Sequence, residues 1–323
     1  MRRILCFLIP LILLATGCEK ESSMLVTRLG NDCINRYYYV PFIVGSEMEF
    51  AYAMFMPRGS GRLEEASVRC SIPGAEGTYL DHVAYSTDEY GQDKPWPMGN
   101  PNTVEDGCHT VTFTADTIAA TLRFHYIIPE EARGKKIDFH FSVRASNGQT
   151  ADYDITGCQV RKMDMKLDIK MTPTRCFFSI DKMKALTAAE ADFEQVPVDF
   201  AWAYSTAVTD KSDRSGFFNA ARLDDFSTWY SFPTLSSPAN DTKKMYRYNI
   251  IEPQLGRQEF DGFYIDDRDF ETLRLDCDTA GLIGINARNG FWVETADGRY
   301  RAYIYCNETG AESCTVSIKR YTL

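Results

Sequence analysis

Residues 136–145 alternate without a break: Ile137, Phe139, Phe141 and Val143 fall to one side, Asp138, His140, Ser142 and Arg144 to the other. Successive side chains of a strand point to opposite faces, so this pattern specifies a strand with one wet face. A helix would repeat its apolar positions every three to four residues. Asn147-Gly148 follows, and both residues tolerate the positive φ of a tight hairpin turn, so residues 150–160 are expected to return as the partner strand. Residues 119–128 place Leu122, Phe124 and Tyr126 on one face, and residues 129–134 supply turn chemistry after them. Residues 48–56 and 66–72 are further strands, while the polar stretch 86–107, with its glycines and prolines, reads as a long loop. Short strands, turn punctuation and no convincing helix predict an immunoglobulin-like β-sandwich over residues 31–162. The Cys…Trp…Cys framework of antibody domains is not evident, so the sandwich rests on pattern alone.

From residue 163 the pattern mixes. Thr187-Ala188-Ala189-Glu190 is a capping box, in which the Thr hydroxyl and Glu carboxylate satisfy orphan amides reciprocally, so a two-turn helix is expected to residue 195. Residues 198–204 (VDFAWAY) read as a buried strand. A second helix is expected to start at Asp266 or Asp267 and run to Leu273. Strands on either side of Asp297-Gly298 form a hairpin, and residues 314–319 close the chain as a last strand. The expected class is therefore mainly β with some α: an Ig-like sandwich, then a mixed α+β or β-rich domain over residues 163–323.

The chain begins with Arg2 and Arg3, an apolar run over residues 4–14, and the small residues Ala15, Thr16 and Gly17 before Cys18. That order is the secretory signal pattern. At 1.5 Å per residue the apolar run reaches roughly 16 Å, about half the ~30 Å hydrocarbon core, which is short for a permanent span. Residues 1–17 are thus expected to be a cleaved signal, Cys18 the lipid-attachment residue, and residues 18–30 a tether. A formal net charge of −10 repels phosphate backbones and disfavours nucleic acid as a partner.

The stretches IIPEEARGKKIDFHFSVRASNGQTADYDI, VRKMDMKLDI, CFFSIDKMKALTAAEA and GFWVETADGRYRAYIYCN resemble a family of Bacteroidetes lipoproteins, domain of unknown function 4466. The resemblance covers most of the chain after the signal. It implies an exported lipoprotein and carries no activity and no catalytic residues. The polar run Glu19-Lys20-Glu21-Ser22-Ser23 is similar to the export tags of such proteins, so the outer membrane with the protein facing the cell exterior is expected; the alternative is a periplasm-facing anchor.

No nucleophile elbow, no His-Glu-x-x-His and no calcium-loop spacing occurs, so neither a cofactor nor a metal is expected. Beyond Cys6 and Cys18, no cysteine stands in a Cys-x-x-Cys pair, and Cys306 and Cys314 flank a hairpin loop where they could face each other as a disulfide. Aromatic residues make up 13% of the chain, and Trp96, Trp229 and Tyr230 stand in loop-like segments, with Tyr246 and Tyr248 in another. Exposed rings stack on sugars, so a non-catalytic binding or accessory protein with a glycan or surface-protein ligand is the favoured function. The alternatives are a carbohydrate-active hydrolase using carboxylates such as Asp266 or Asp269, and a surface-fibre assembly subunit. Cys18→Ala is expected to move the protein from the membrane pellet to the soluble fraction of lysed cells; continued sedimentation with membranes would refute the anchor.

Overall fold

The computed structural model describes residues 28–257 and 262–323, so the expected signal, Cys18 and the tether as far as residue 27 lie outside the described residues. These residues are dominated by antiparallel strands and divide into two units. One unit comprises residues up to Arg36 together with Met48–Tyr126 and Asp138–Thr156; the other comprises Tyr37–Glu47, Ile127–Ile137 and Gly157–Leu323. The mainly β class expected from the sequence is what the structure shows, with sandwich-like pairs of sheets and few, short helices.

The strands of the N-terminal half are β1 (Gly30–Asn35), β2 (Glu47–Phe55), β3 (Leu63–Cys70), β4 (Tyr79–Leu80), β5 (Val83–Thr87), β6 (Asp93–Pro97), β7 (Thr103–Glu105), β8 (Cys108–Thr112), β9 (Ala119–Ile127), β10 (Lys136–Ala145) and β11 (Thr150–Gln159). They form a sheet of order β1-β2-β9-β4, a sheet of order β11-β10-β3-β8-β7, and a β5-β6 hairpin. The alternating run of β10 buries Ile137, Phe139, Phe141 and Val143 as its pattern requires, and Gly148 takes the turn at φ 80°. Rings bridge the two sheets: Phe50 of β2 lies 4.6 Å from Phe139 and 5.6 Å from Phe141, measured between centroids. The polar stretch read as a loop instead forms β6 and β7. In the first hairpin Asp88 accepts the amides of Tyr90 and Gln92, each at 2.9 Å, and closes the turn. A pairing held by turn geometry with every β6 residue exposed leaves no apolar alternation to read.

The C-terminal half contains β12 (Asp164–Met171), β13 (Phe177–Ser179), β14 (Lys184–Leu186), β15 (Phe200–Tyr204), β16 (Ser215–Asn219), β17 (Lys244–Arg247), β18 (Gly281–Ile283), β19 (Asn289–Glu294), β20 (Tyr300–Thr309) and β21 (Cys314–Thr322). One sheet has the order β12-β21-β20-β19-β17 and the other β14-β13-β15-β16-β18. Phe200 and Phe217 of the second sheet meet Phe291 of the first at 5.7 and 4.9 Å, so the sheets pack face to face. Both sheets are also covered on their outer faces, which is why β20 is apolar along nearly its whole length: Ala302, Ile304 and Cys306 enter the inter-sheet core, while Tyr303 and Tyr305 enter a second cluster with Ile43, Leu255 and Phe270. The expected helices are present. Thr187 and Glu190 form the capping box of Ala188–Glu194, and Asp266 caps Asp267–Thr272.

Asp199 is the most deeply buried carboxylate in the second sheet's surroundings, accepting from Ile180 N at 2.7 Å, Asn240 Nδ2 at 2.7 Å and Thr242 Oγ1 at 3.4 Å. Burial outweighs these hydrogen bonds and pushes its carboxyl from an ordinary 3.8 up to about 6. Between those values the folded state holds the proton more tightly than the unfolded chain. The protonation therefore adds stability that is fully present below the ordinary value and lost as pH rises through about 6. A shift of this size corresponds to about 3 kcal/mol. The stability difference between the parent protein and Asp199→Asn, from denaturant melts, should change by roughly that amount between pH 4 and 7.5 in favour of the parent at low pH; a pH-independent difference would contradict it.

Candidate functional site: an aromatic cleft in the C-terminal unit

The outer face of the β12-β21-β20-β19-β17 sheet is covered by residues 248–257 and 262–275, and beside the end of β17 they enclose a cleft of about 330 Å³. Tyr246, Tyr248, Phe263, Tyr264 and Trp292 line it, with Asp269 and Thr272 as polar neighbours. Trp292 is a buried floor, held by Phe270 at 5.1 Å and Tyr303 at 5.1 Å. The Tyr303 hydroxyl donates to the Tyr248 carbonyl at 2.7 Å, and the Tyr248 amide donates to the Gly290 carbonyl at 2.9 Å, so the Tyr248 backbone is fixed. The upper rings are open: Tyr246 is 52%, Tyr248 45% and Phe263 73% exposed. Tyr264 continues outward to Tyr39 at 6.0 Å and from there to Tyr38 at 5.7 Å, extending the aromatic surface beyond the cleft. Burial is the main reason the Tyr264 hydroxyl sits above its ordinary pKa, with Tyr39 adding to it.

The acidic run beside the cleft holds structure. Asp266 Oδ1 accepts the Arg268 amide at 2.9 Å, and Asp269 Oδ2 accepts the Asp266 amide at 2.8 Å, completing a capping box. Asp267 accepts the amides of both Lys162 and Met163, at 2.7 and 3.1 Å. Glu271 accepts the Tyr321 hydroxyl at 2.6 Å. Acidic groups at the first turn also complement the helix dipole. At the other end of this helix Arg301 donates to the Phe270 and Leu273 carbonyls and pairs with Glu294 at 2.6 Å. Burial alone pushes the Glu294 carboxyl up, but hydrogen bonds from Lys244 and Arg301 hold it below the usual carboxylate range.

The sequence-predicted residues are scattered. Trp96 is about half exposed on β6, its indole N–H engaged with Ser86 Oγ at 2.7 Å. Trp229 is exposed. Its neighbour Tyr230 is 3% exposed, packed on Phe218 at 4.6 Å with its hydroxyl donating to the Asp213 carbonyl at 2.5 Å, which corrects its assignment to a ligand-facing surface. Tyr230 also borders a cavity of about 450 Å³ with Leu223, Phe232 and Pro233, and these are not the residues of the aromatic cleft. Tyr246 and Tyr248 do meet in one place, joined by Phe263 and Tyr264, which pattern reasoning did not single out. Cys306 and Cys314 are both buried free thiols with sulfurs 3.6 Å apart on adjacent strands, and β20 runs on to Thr309, past the expected loop start. Among the described residues no group of three or more His, Cys, Asp or Glu could hold a metal ion, and no helix is long and apolar enough to cross a membrane.

Residues 26–160 match the family model "Domain of unknown function (DUF4466)", and residues 161–323 match "Domain of unknown function (DUF8576)". A crystal structure of a DUF4466 family protein from Parabacteroides merdae superposes with a TM-score of 0.83 at 39% identity, covering 92% of this chain and 100% of that one. A cohesin module from a Clostridium perfringens family 33 glycoside hydrolase matches at a TM-score of 0.26 and 12% identity, over 41% of this chain and 96% of that one. A conjugative transposon lipoprotein from Bacteroides eggerthii gives 0.22 and 12%, over 41% and 97%. At those scores neither of the last two bears on fold or function. No curated protein matches the chain.

Arg301→Met leaves the carbonyls of the Asp267–Thr272 helix and one side of Glu294 without their donor. It is expected to lower unfolding free energy by about 3 kcal/mol, read from a urea melt; a loss below about 0.5 kcal/mol would show that the guanidinium does not hold the cleft wall.

Proposed function

Given that the chain belongs to the DUF4466 family, we propose that it is an exported lipoprotein, anchored through Cys18 in the outer membrane and facing the cell exterior, that binds a glycan without turning it over. The observation that carries the reading is the aromatic cleft: a fixed Trp292 floor beneath tyrosines and a phenylalanine whose faces are open. Rings of this kind bury the apolar face of a sugar, while the Thr272 hydroxyl and Asp269 carboxylate stand in reach of the cleft for ring hydroxyls. The non-catalytic half of the proposal is supported by the employment of the nearby acids. Each of Asp266, Asp267 and Asp269 accepts a backbone amide and so holds the chain in place, whereas a glycosidase needs two carboxyls free to face the scissile bond from opposite sides.

The test is a titration of the purified protein with a panel of soluble oligosaccharides, followed by tryptophan fluorescence and by an assay for new reducing ends. Saturable quenching is expected with at least one oligosaccharide and no reducing ends with any. Stacking on an aromatic ring contributes about 0.5–1.5 kcal/mol, so Tyr246→Ala combined with Tyr248→Ala should weaken binding by roughly five- to a hundredfold. Trp96→Ala and Trp229→Ala should leave it unchanged. Released reducing ends would make the protein a hydrolase, and a protein that binds no oligosaccharide but captures a purified surface protein would move the ligand to that class.

A further inference from the structure

A second recess lies in the C-terminal unit where β19 begins and β20 finishes. It has a volume of about 420 Å³ and is lined by Asp168, Gly256, Arg288, Tyr305, Asn307 and Glu308, none of which belongs to the aromatic cleft.

Two irregularities of the sheet meet here. The register of β12 against β21 slips between Lys166 and Ile169, at Asp168, and that of β20 against β21 slips between Cys306 and Glu308, at Asn307. One hydroxyl ties the two together: the Asp168 amide donates to Ser317 Oγ at 3.2 Å, and Ser317 Oγ donates to Asn307 Oδ1 at 2.9 Å. The Asn307 amide group then donates to the Leu255 carbonyl at 2.7 Å. Bulges in a ladder re-aim side chains and gather beside functional sites. Backbone strain gathers at the same place. Asp168 (φ 53°), Arg257 (φ 51°) and Arg288 (φ 65°) are all left-handed without being glycine, and Arg257 forms an ion pair with Asp168. Side-chain-bearing residues seldom adopt this conformation unless their surroundings impose it, and such residues cluster at ligand clamps.

Part of the lining of this recess is also unspoken for. Tyr305 is 1% exposed, and its hydroxyl is a buried polar atom with no hydrogen-bond partner among the described residues. A buried hydroxyl without a partner is costly and calls for an explanation. Gly256 leaves the space: a Cβ there would stand 3.1 Å from the Tyr305 ring and 3.3 Å from its hydroxyl oxygen. Arg288 and Glu308 are exposed at the lining, and among the described residues no ion pair involves either side chain, whereas Asp168 is already neutralised by Arg257.

From this juxtaposition we infer that the recess binds a small zwitterion, a free amino acid or the like. Arg288 takes its carboxylate in the paired N–H···O geometry that guanidinium favours, and the Tyr305 hydroxyl donates to the same group. Glu308 takes the ammonium. A simple anion would meet Glu308 unfavourably and a simple cation would meet Arg288, so a ligand carrying both charges fits where either alone does not.

The experiment is calorimetric titration of the full protein with each of the twenty free amino acids up to about 10 mM, a range that reaches millimolar affinity. Saturable binding of at least one is expected, abolished when its carboxylate is amidated or its amine acetylated. Arg288→Asn and Tyr305→Phe should each weaken it about tenfold. Asn tolerates the positive φ at this position, and Phe keeps the Tyr305 ring while removing a hydroxyl that has no partner among the described residues, so melting temperatures should stay level or rise for Tyr305→Phe. Tyr246→Ala with Tyr248→Ala should leave amino-acid binding untouched, separating this site from the glycan cleft. Absence of binding by all twenty, equal binding of the blocked derivatives, or indifference to both Arg288→Asn and Tyr305→Phe would each overturn the assignment.

Discussion

Lys319 is wholly buried on β21 and donates to three oxygens: Glu252 Oε1 at 2.5 Å, Gln254 Oε1 at 2.6 Å and the Ile265 carbonyl at 2.9 Å. Glu252, equally buried, also accepts the amides of Leu255 at 2.7 Å and Ile265 at 3.2 Å. Burial pulls the ammonium below its ordinary pKa, and the Glu252 carboxylate opposes that pull. Taking two charges out of water costs several kcal/mol per ion, and their attraction offsets this only when the remaining lone pairs and protons are satisfied, as they are here. The pair is thus a locating device more than a source of net stability: it lets irregular backbone lie against a sheet in only one place.

That placement is what both candidate sites depend on. Phe263, Tyr264 and Ile265 form one wall of the aromatic cleft, and Gly256 forms a wall of the polar recess. All lie within or beside the stretch whose ends Glu252 grips. Irregular backbone carries few ladder hydrogen bonds of its own, so rigid sites can be built on it only when side chains from a regular element reach out and fix it. Lys319 does this from β21, Arg301 from β20 by holding the carbonyls at the end of the Asp267–Thr272 helix, and Tyr303 from β20 by holding the Tyr248 carbonyl.

The regular part of this architecture was legible in the sequence because burial on one face leaves a period. The alternation around Phe139 and Phe141, the Asn147-Gly148 turn, the Thr187–Glu190 capping box and the helix start at Asp266 each follow from local chemistry, and each has its counterpart in the structure. The outer-face cover was not legible. Lys319 and Glu252 are charged residues that composition assigns to a surface, and the partner that makes each tolerable lies 67 positions away. Trp229 and Tyr230 show the same limit at the smallest scale: loop residues side by side, one exposed and one taken into the core by a contact with Phe218 that no local pattern announces. Tyr246 and Tyr248 read as loop aromatics in the sequence, whereas Tyr246 lies on β17, and their convergence with Phe263 and Tyr264 required the pairing of β17 with β19, a non-local contact.

The acidic run 266–271 shows why composition alone misleads about chemistry. Four carboxylates beside an aromatic cleft would suit a hydrolase by residue type. Their hydrogen bonds run instead to backbone amides and to Tyr321, and each such bond restrains the side chain. A general acid needs an environment apolar enough to raise its pKa toward neutral pH. Among the described residues of this unit, the carboxyl that burial raises is that of Asp199, to about 6, and its partners Ile180, Asn240 and Thr242 are not among the residues of either cleft. Where the rings are open, the neighbouring acids are engaged in capping the Asp267–Thr272 helix and in holding residues 162, 163 and 321.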